Sequence, residues 1–242
     1  MTKSKQYFAG MRAGLPVVFG FIPVGIAFAI AARQAGFTLL ETQLMSLTVF
    51  AGASQMMAAK MWGEAAGIAT IILATFIINI RHIIMSTCVM QRMKSAPLWA
   101  RLLAAFGVTD ESFAIFTSIE EDKCTPMYFF GVITVTYSSW NLGTFIGAVG
   151  ADLLPEIIAL SFGVALYAMF ISIIAPDITG NLRLGLLVLF AALSNWALGL
   201  VMDSGWAMII STLLSAFIGV FFVDLDGIDT EKKKEDTENA TS

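Results

Sequence analysis

Three side chains that could carry charge or hydrogen bonds stand close together in a mainly apolar stretch, residues 74–88. They are Asn79, Arg81 and His82, the last being the only histidine in the chain. A charged side chain at the centre of a membrane helix costs about 2.5–3.5 kcal/mol on the lenient insertion scale. A partner carboxylate, a watery cavity or a position nearer the membrane surface must offset that cost.

The candidate partners are Asp110 and Glu111, two adjacent carboxylates late in another apolar run. Neighbouring residues on a helix point about 100° apart, so one carboxylate could face the interior while the other faces water. The ordinary pKa of histidine is near neutrality, and burial can raise the pKa of a carboxylate into the same range. One of these side chains could therefore carry a proton. Two alternatives stay open: an Arg81–Asp110 ion pair that only fixes helix register, and carboxylates that both lie at the membrane surface.

The segments that carry these residues have the composition of membrane helices. Of 242 residues, 57% are hydrophobic and 13% are charged, against about 25% charged in an ordinary soluble domain. Several charge-free runs approach the roughly 20 residues that cross about 30 Å of hydrocarbon. Runs such as 67–78 and 184–193 do not alternate as the strands of a membrane β-barrel do. The sequence therefore predicts an all-α integral membrane protein.

The hydropathy pattern predicts about six to eight helical segments, some of them broken or re-entrant. The eight hydrophobic runs, numbered in chain order, span residues 13–32, 43–59, 65–90, 97–118, 127–149, 154–175, 182–202 and 205–223. They form a transmembrane domain at 1–223. The charged stretch 224–242 has no apolar face, so it predicts a disordered cytoplasmic tail.

Two segments contain residues that disturb a regular helix. Segment one has two prolines and several glycines, so it is either a kinked packing helix or a discontinuous helix that forms a site near Pro23. Segment two has Gly52, Ser54 and Gln55 among Met, Leu and Val. This pattern favours a backbone that opens toward a polar ligand. The alternative is tight packing, with Ser54 bonded to its own helix.

Basic residues constrain the topology through the positive-inside rule. The rule places the basic residues before segment one in the cytoplasm, and it places those between segments three and four there as well. Three full crossings would instead put the two groups on opposite sides of the membrane. The conflict disappears if segment two is re-entrant. A faint self-similarity at an offset of about 114–116 residues aligns Asn79 with Asn195. It extends the prediction to an inverted repeat of 13–90 and 127–202, with segment four as connector and both termini in the cytoplasm.

Other classes of function find less support in the residues. The net charge of −4 argues against a nucleic-acid partner, and Cys88 and Cys124 form neither a disulfide framework nor a metal-binding spacing. An intramembrane enzyme built around His82 lacks a second ligand or a nucleophile at a fitting spacing. A passive channel could use the intramembrane charges as a selectivity ring, so it stays an alternative to a transporter.

Three ordered motifs resemble the AzlC family: FAGASQ at 50–55, NIRH at 79–82 and TDESFA at 109–114. The Pro/Gly pattern of residues 14–28 is similar as well, and the resemblance covers the chain except its tail. It implies the large subunit of a two-component exporter that moves valine, leucine, isoleucine and often methionine across the bacterial cytoplasmic (inner) membrane. It also implies a small hydrophobic partner subunit of the AzlD type and coupling to the proton gradient.

A zwitterionic amino acid needs donors for its carboxylate, acceptors for its ammonium and a dry pocket for its side chain. The expected donors, as at other broken-helix N-termini, are Ser54, Gln55 and backbone amides near Gly52. The expected acceptors are Asn79, Asn195 and a carbonyl near Pro23. The expected charge network is Arg81, His82, Asp110 and Glu111. No metal or cofactor is expected, and export of another small zwitterionic or apolar solute is a further alternative.

Overall fold

The computed structural model describes residues 2–93, 96–120, 123–151, 171, 175, 178–179 and 181–222. Within these residues the chain forms nine α-helices and no strand, which confirms the all-α class. The helices are α1 (Lys3–Gln34), α2 (Leu39–Val49), α3 (Gly52–Gly63), α4 (Ile68–Arg92), α5 (Leu98–Phe106), α6 (Asp110–Thr117), α7 (Pro126–Gly150), α8 (Leu182–Gly199) and α9 (Ser204–Phe222).

The chain divides into two compact units, Met1–Met169 with α1–α7 and Phe170–Ser242 with α8 and α9. Among the described residues, four stretches are long and apolar enough to cross a membrane: α1, α4, α8 and Gly205–Phe222 of α9. Helix α7 has the same 25-residue length as α4. The predicted tail and almost all of segment six fall outside the described residues.

Helix ends in the first unit are set by local side chains. At the start of α2, the Thr38 hydroxyl accepts from the Glu41 N–H at 3.2 Å, and the Glu41 carboxylate accepts from the Thr38 N–H at 2.7 Å. This reciprocal capping box satisfies two donors that the first helical turn leaves free. Helix α7 starts in a similar way, since Thr125 accepts from the Tyr128 N–H and Pro126 occupies the first turn.

Segment one is a single helix. Both Pro16 and Pro23 lie inside α1, which continues through them for 32 residues. A proline removes one backbone donor, but in a membrane helix neighbouring helices and local adjustments can satisfy the freed carbonyl. The packing-helix alternative is therefore the observed one, and the discontinuous alternative is wrong.

Helix α1 packs against α7 almost backbone to backbone. A Cβ added at Gly10 would lie 1.9 Å from the Tyr128 carbonyl oxygen, and one added at Gly147 would lie 2.6 Å from that of Ile26. Such contacts require small residues, as at close helix pairs in membranes. Partner numbers rise together along both helices, from Gly10 with Tyr128 to Ile26 with Gly147. Helices α1 and α7 are therefore parallel.

The parallel pairing overturns part of the predicted topology. An inverted repeat of 13–90 and 127–202 makes segment five antiparallel to segment one, whereas α7 runs in the same direction as α1. The inverted relation is therefore wrong for this pair. The reason lies in how two other segments enter the structure.

Segment two forms a re-entrant hairpin, hairpin A (α2 and α3). Its chain turns at Phe50, which has a left-handed backbone with φ of 40°. The far end of α3 returns to the C-terminal end of α1, since the rings of Phe37 and Trp62 lie 5.8 Å apart. The turn instead lies at mid-helix, where the Phe50 ring is 6.3 Å from that of Phe21. This confirms that segment two does not cross completely.

Segment four forms a second re-entrant hairpin, hairpin B (α5 and α6). The start of α5 and the end of α6 both lie near the first turns of α7, with Trp99 6.2 Å from Phe130 and Phe116 4.8 Å from Phe129. Between them, Phe106 reaches Tyr137 in the middle of α7, at 5.8 Å. Hairpin B thus enters from the end opposite to hairpin A.

The prediction of segment four as a crossing connector is wrong. Because α4 carries the chain from the end of hairpin A to the start of hairpin B, α1, α4 and α7 run in alternating directions. Two re-entrant hairpins and one intervening helix therefore leave α7 parallel to α1.

We predict that the close glycine contacts are needed for helix packing. Gly10→Ala places a methyl group within 1.9 Å of a backbone oxygen, so it should lower the free energy of unfolding by about 1–3 kcal/mol through overpacking. Gly20→Ala is the matched control in the same helix, because no atom of the described residues lies within 4 Å of its added Cβ. It should be neutral or stabilising by up to about 1 kcal/mol. Thermal unfolding of the detergent-purified variants measures both, and equal shifts would contradict the packing model.

We also predict the sidedness of the hairpins. Cysteines introduced as Ala35→Cys and Glu64→Cys should react with a membrane-impermeant maleimide from the same side, because both flank the open end of hairpin A. Ser118→Cys, at the end of hairpin B, should react from the other side. The unmodified chain, with its native Cys88 and Cys124, gives the background. Labelling of positions 35 and 64 from opposite sides would show that hairpin A crosses the membrane.

Candidate functional site

The turns of the two hairpins meet beside the middle of α7. We call residues 50–55 tip A and residues 106–112 tip B. The rings of Phe50 and Phe106 lie 6.4 Å apart, and the Tyr137 ring lies 5.1 Å from the first and 5.8 Å from the second. Helices α3 and α6 therefore begin close together, deep between the ends of the long helices.

Tip A is joined to α4 by a hydrogen bond between two predicted site residues. The Asn79 side-chain amide donates to the Ser54 hydroxyl at 3.0 Å, and that hydroxyl donates to the Ala51 carbonyl at 2.9 Å. Ser54 thus bonds both to its own helix and to a neighbouring one. The Asn79 amide oxygen is buried and has no hydrogen-bond partner among the described residues. It is an available acceptor next to the start of a helix.

Backbone donors are also available at tip A. The first hydrogen bond within α3 runs from the Gln55 N–H to the Ala51 carbonyl at 3.0 Å, so the N–H groups of residues 52–54 have no acceptor inside the helix. The partial positive charge of a helix N-terminus adds to their attraction for an anion. Gly52 lies against an aromatic ring, because a Cβ there would be 2.8 Å from the edge of Trp140.

Gln55, an expected donor to the carboxylate, forms hydrogen bonds within the protein at both ends of its side-chain amide. It is fully buried, and its side-chain oxygen accepts from the Ala51 N–H at 3.2 Å. Its amide nitrogen donates to Ser46 at 3.2 Å, and Ser46 in turn pairs with Thr144 at 2.8 Å. Both ends of this amide are engaged in holding tip A to α2 and α7. Gln55 is therefore a brace for the tip.

Tip B carries the ion pair that connects it to α4. The Arg81 guanidinium lies 3.0 Å from the Asp110 carboxylate, with side-chain exposures of 38% and 29%. Thr109 caps α6, since its hydroxyl accepts from the Ser112 N–H at 3.2 Å and its own N–H donates to the Ser112 hydroxyl at 2.8 Å. Asp110 thus occupies the first turn of a helix, where a negative charge is favoured.

The other two members of the predicted charge network adjoin this pair in the chain. Glu111 is half-buried in the first turn of α6, and His82 is half-buried in α4. The Nδ1 atom of His82 and the Nε atom of Arg81 are buried, with no hydrogen-bond partner in the described part of the chain. The carboxylates lie at the level of mid-α7, so the alternative that places them at a membrane surface does not fit this arrangement.

The two remaining predicted ligands are Pro23 in α1 and Asn195 in the second unit. Pro23 follows Phe21 by two residues, so its side chain points about 200° away from the one that contacts Phe50. Asn195 belongs to the second unit, where its side-chain oxygen accepts from Ser211 at 3.4 Å. The roles of Asn195 and of a carbonyl near Pro23 as acceptors for an ammonium group stay predictions.

Sequence reasoning missed the aromatic residues at the tips and the Ser46–Thr144 pair. A signal for the first was present, because Phe50 and Phe106 each come directly before a small residue at the turn. Among the described residues there is no group of three or more His, Cys, Asp or Glu side chains that could hold a metal ion.

Together these features define a helical membrane protein with a polar site between two re-entrant hairpins. The AzlC protein family matches residues 16–154. An uncharacterized membrane protein of Archaeoglobus fulgidus is 31% identical, over 75% of this chain and 80% of its own length. The inner membrane protein YgaZ of Escherichia coli is 31% identical, over 70% and 72%.

The chain belongs to the AzlC family. A further relative, the branched-chain amino acid transport protein AzlC of Bacillus subtilis, is 28% identical over 62% of this chain and 61% of its own length. No solved structure matches the chain significantly. Family membership and the membrane relatives support a role in membrane transport and confirm the predicted resemblance.

Proposed function

We propose that this protein is a secondary transporter that exports branched-chain amino acids, namely valine, leucine, isoleucine and, as a further substrate, methionine. The observation that carries the proposal is the meeting of two re-entrant tips, each with a helix N-terminus and a polar link to α4. Broken helices of this kind build the midplane sites of many secondary transporters. The name of the Bacillus subtilis relative supplies the substrate class.

Tip A fits the two charged ends of an amino acid. The free N–H groups of residues 52–54 are donors for the carboxylate, with the helix N-terminus favouring its negative charge. The buried Asn79 oxygen, which has no partner in the described part of the chain, is an acceptor for the ammonium group. The rings of Phe50 and Tyr137 supply apolar surface close by for a branched side chain.

Tip B fits a role in coupling to the proton gradient. Protonation of Asp110 would remove the charge that pairs with Arg81 and that the N-terminus of α6 favours. His82 and Glu111 are the other groups near this pair that could carry a proton. The competing view is an ion pair that only fixes the position of tip B against α4.

The proposal includes a partner and a location. By resemblance to the family, we propose a small hydrophobic AzlD-type subunit as partner and the bacterial cytoplasmic membrane as location, with both termini in the cytoplasm. A transporter of this kind performs no covalent chemistry, so we propose that the protein is not an enzyme.

Efflux from peptide-loaded cells tests the function. Cells loaded with a valine- or methionine-containing dipeptide should release the amino acid faster when they express this chain together with a small AzlD-type subunit. A protonophore should abolish the increase. Gradient-independent flux would support the channel alternative instead. No increase, with both proteins shown to be in the membrane, would refute the proposed substrates.

The same assay tests the ion pair. We predict that Asp110→Asn abolishes export against a concentration gradient while flux down the gradient remains, because the variant cannot exchange a proton at this position. Glu64→Gln is the matched control, since Glu64 forms an exposed surface pair with Lys60 at 3.8 Å. An Asp110→Asn protein that still exports against a gradient with normal pH dependence would exclude Asp110 as the coupling acid.

A further inference from the structure

We propose that Phe50, Phe106 and Tyr137 form the barrier that closes the transport pathway between the two hairpin tips. The inference rests on the proposed function, because it assumes that a solute passes between tip A and tip B. It assigns to three aromatic residues a role that the polar groups of the site do not have.

The position of the rings follows from the topology. Hairpin A and hairpin B enter from opposite ends of α1 and α7, and each turns back at mid-helix. A route between the two ends along the hairpins must therefore pass the point where the tips meet. That point is filled by one ring from each tip, 6.4 Å apart, and both rings contact the same tyrosine.

Phe50 places a large side chain at a backbone position that glycine usually occupies. It ends α2 with φ of 40° and ψ of 48°, a conformation in which glycine is the usual residue. A non-glycine residue there is strained unless its surroundings compensate. The surroundings are Phe21, Phe106 and Tyr137, and they leave Phe50 only 3% exposed. The Phe50 side chain is therefore the fixed ring of the barrier.

The other two rings of the barrier differ in how firmly they are held. Phe106 is 41% exposed, so it can change rotamer with little disturbance to packed neighbours. Tyr137 anchors the arrangement, because its hydroxyl donates to the Leu47 carbonyl at 2.7 Å and thus satisfies a free acceptor in the last turn of α2. The barrier therefore combines a fixed ring, an anchored ring and a ring that can move.

The test uses thiol labelling, which does not depend on the identity of the solute. Ser54→Cys places a reporter behind the rings, at a position only 2% exposed. With the barrier intact, the reporter should be labelled from at most one side of the membrane by an impermeant reagent. Adding Phe106→Ala should increase labelling from the protected side about tenfold. That corresponds to roughly 1.4 kcal/mol of lost closed-state stabilisation, within the range of two aromatic contacts.

Phe116→Ala is the matched control. Phe116 also belongs to hairpin B and is fully buried, but it packs against Phe129 near the far end of the hairpin. Its truncation should leave reporter labelling unchanged. The milder Phe106→Leu preserves volume and should give an intermediate increase if the alanine variant does not reach the membrane.

The outcomes separate the barrier from the transport proposal. Greater labelling with Phe106→Ala or Phe106→Leu, but not with Phe116→Ala, supports the barrier even if no amino acid is exported. Unchanged labelling in the Phe106 variants, or an equal increase with Phe116→Ala, overturns it. Unchanged labelling in the Phe106 variants would show that the rings do not close the path. An equal increase with Phe116→Ala would show a general loosening of hairpin B.

Discussion

The close packing of α1 against α7 is the constraint on which the first unit depends. Glycines at both helices allow backbone contact that any larger residue would prevent, and this contact extends from Gly10 to Gly147. Neither helix can rotate or slide without forcing a Cβ into a carbonyl oxygen of its neighbour. The pair is thus a fixed support, and the two hairpins are positioned by aromatic and polar contacts to it. Phe50 contacts α1 and α7, and Phe106 contacts α7.

A re-entrant hairpin has to satisfy backbone groups that a continuous helix would satisfy by itself. The two tips do so in related ways, with a side chain in the first turn accepting from the N–H of the residue before the helix. At tip A this is Gln55 with Ala51, and at tip B it is Ser112 with Thr109. Both are single interactions at a buried turn, where an unsatisfied group costs about 1–3 kcal/mol. The tips can therefore lie deep in the protein while some helix N–H groups remain free for a ligand.

Part of this arrangement could be predicted from the sequence. The basic residues flanking segments one to three conflict with three crossings, and that conflict revealed hairpin A. No such conflict marked hairpin B, because the acidic residues after segment four carry little orientation information. The direction of α7 was also hidden, since a glycine face allows close packing in either orientation. The hydrogen bonds of Gln55 within the protein could not be predicted, because an amide side chain suits a ligand contact and a structural contact equally, and its burial is seen only in the structure.

The Arg81–Asp110 pair shows how a charge becomes tolerable in this setting. Three factors reduce the free-energy cost of placing these charges inside the protein. They are the opposite charge at 3.0 Å, the helix N-terminus at Asp110, and the partial exposure of both side chains. Two of the three factors depend on the negative charge of Asp110, so this charge helps to hold tip B against α4. Phe106 lies four residues before Asp110, on the other side of the short turn at 107–109. In the proposed transporter, one short segment therefore carries both the carboxylate that pairs with Arg81 and the movable ring of the barrier.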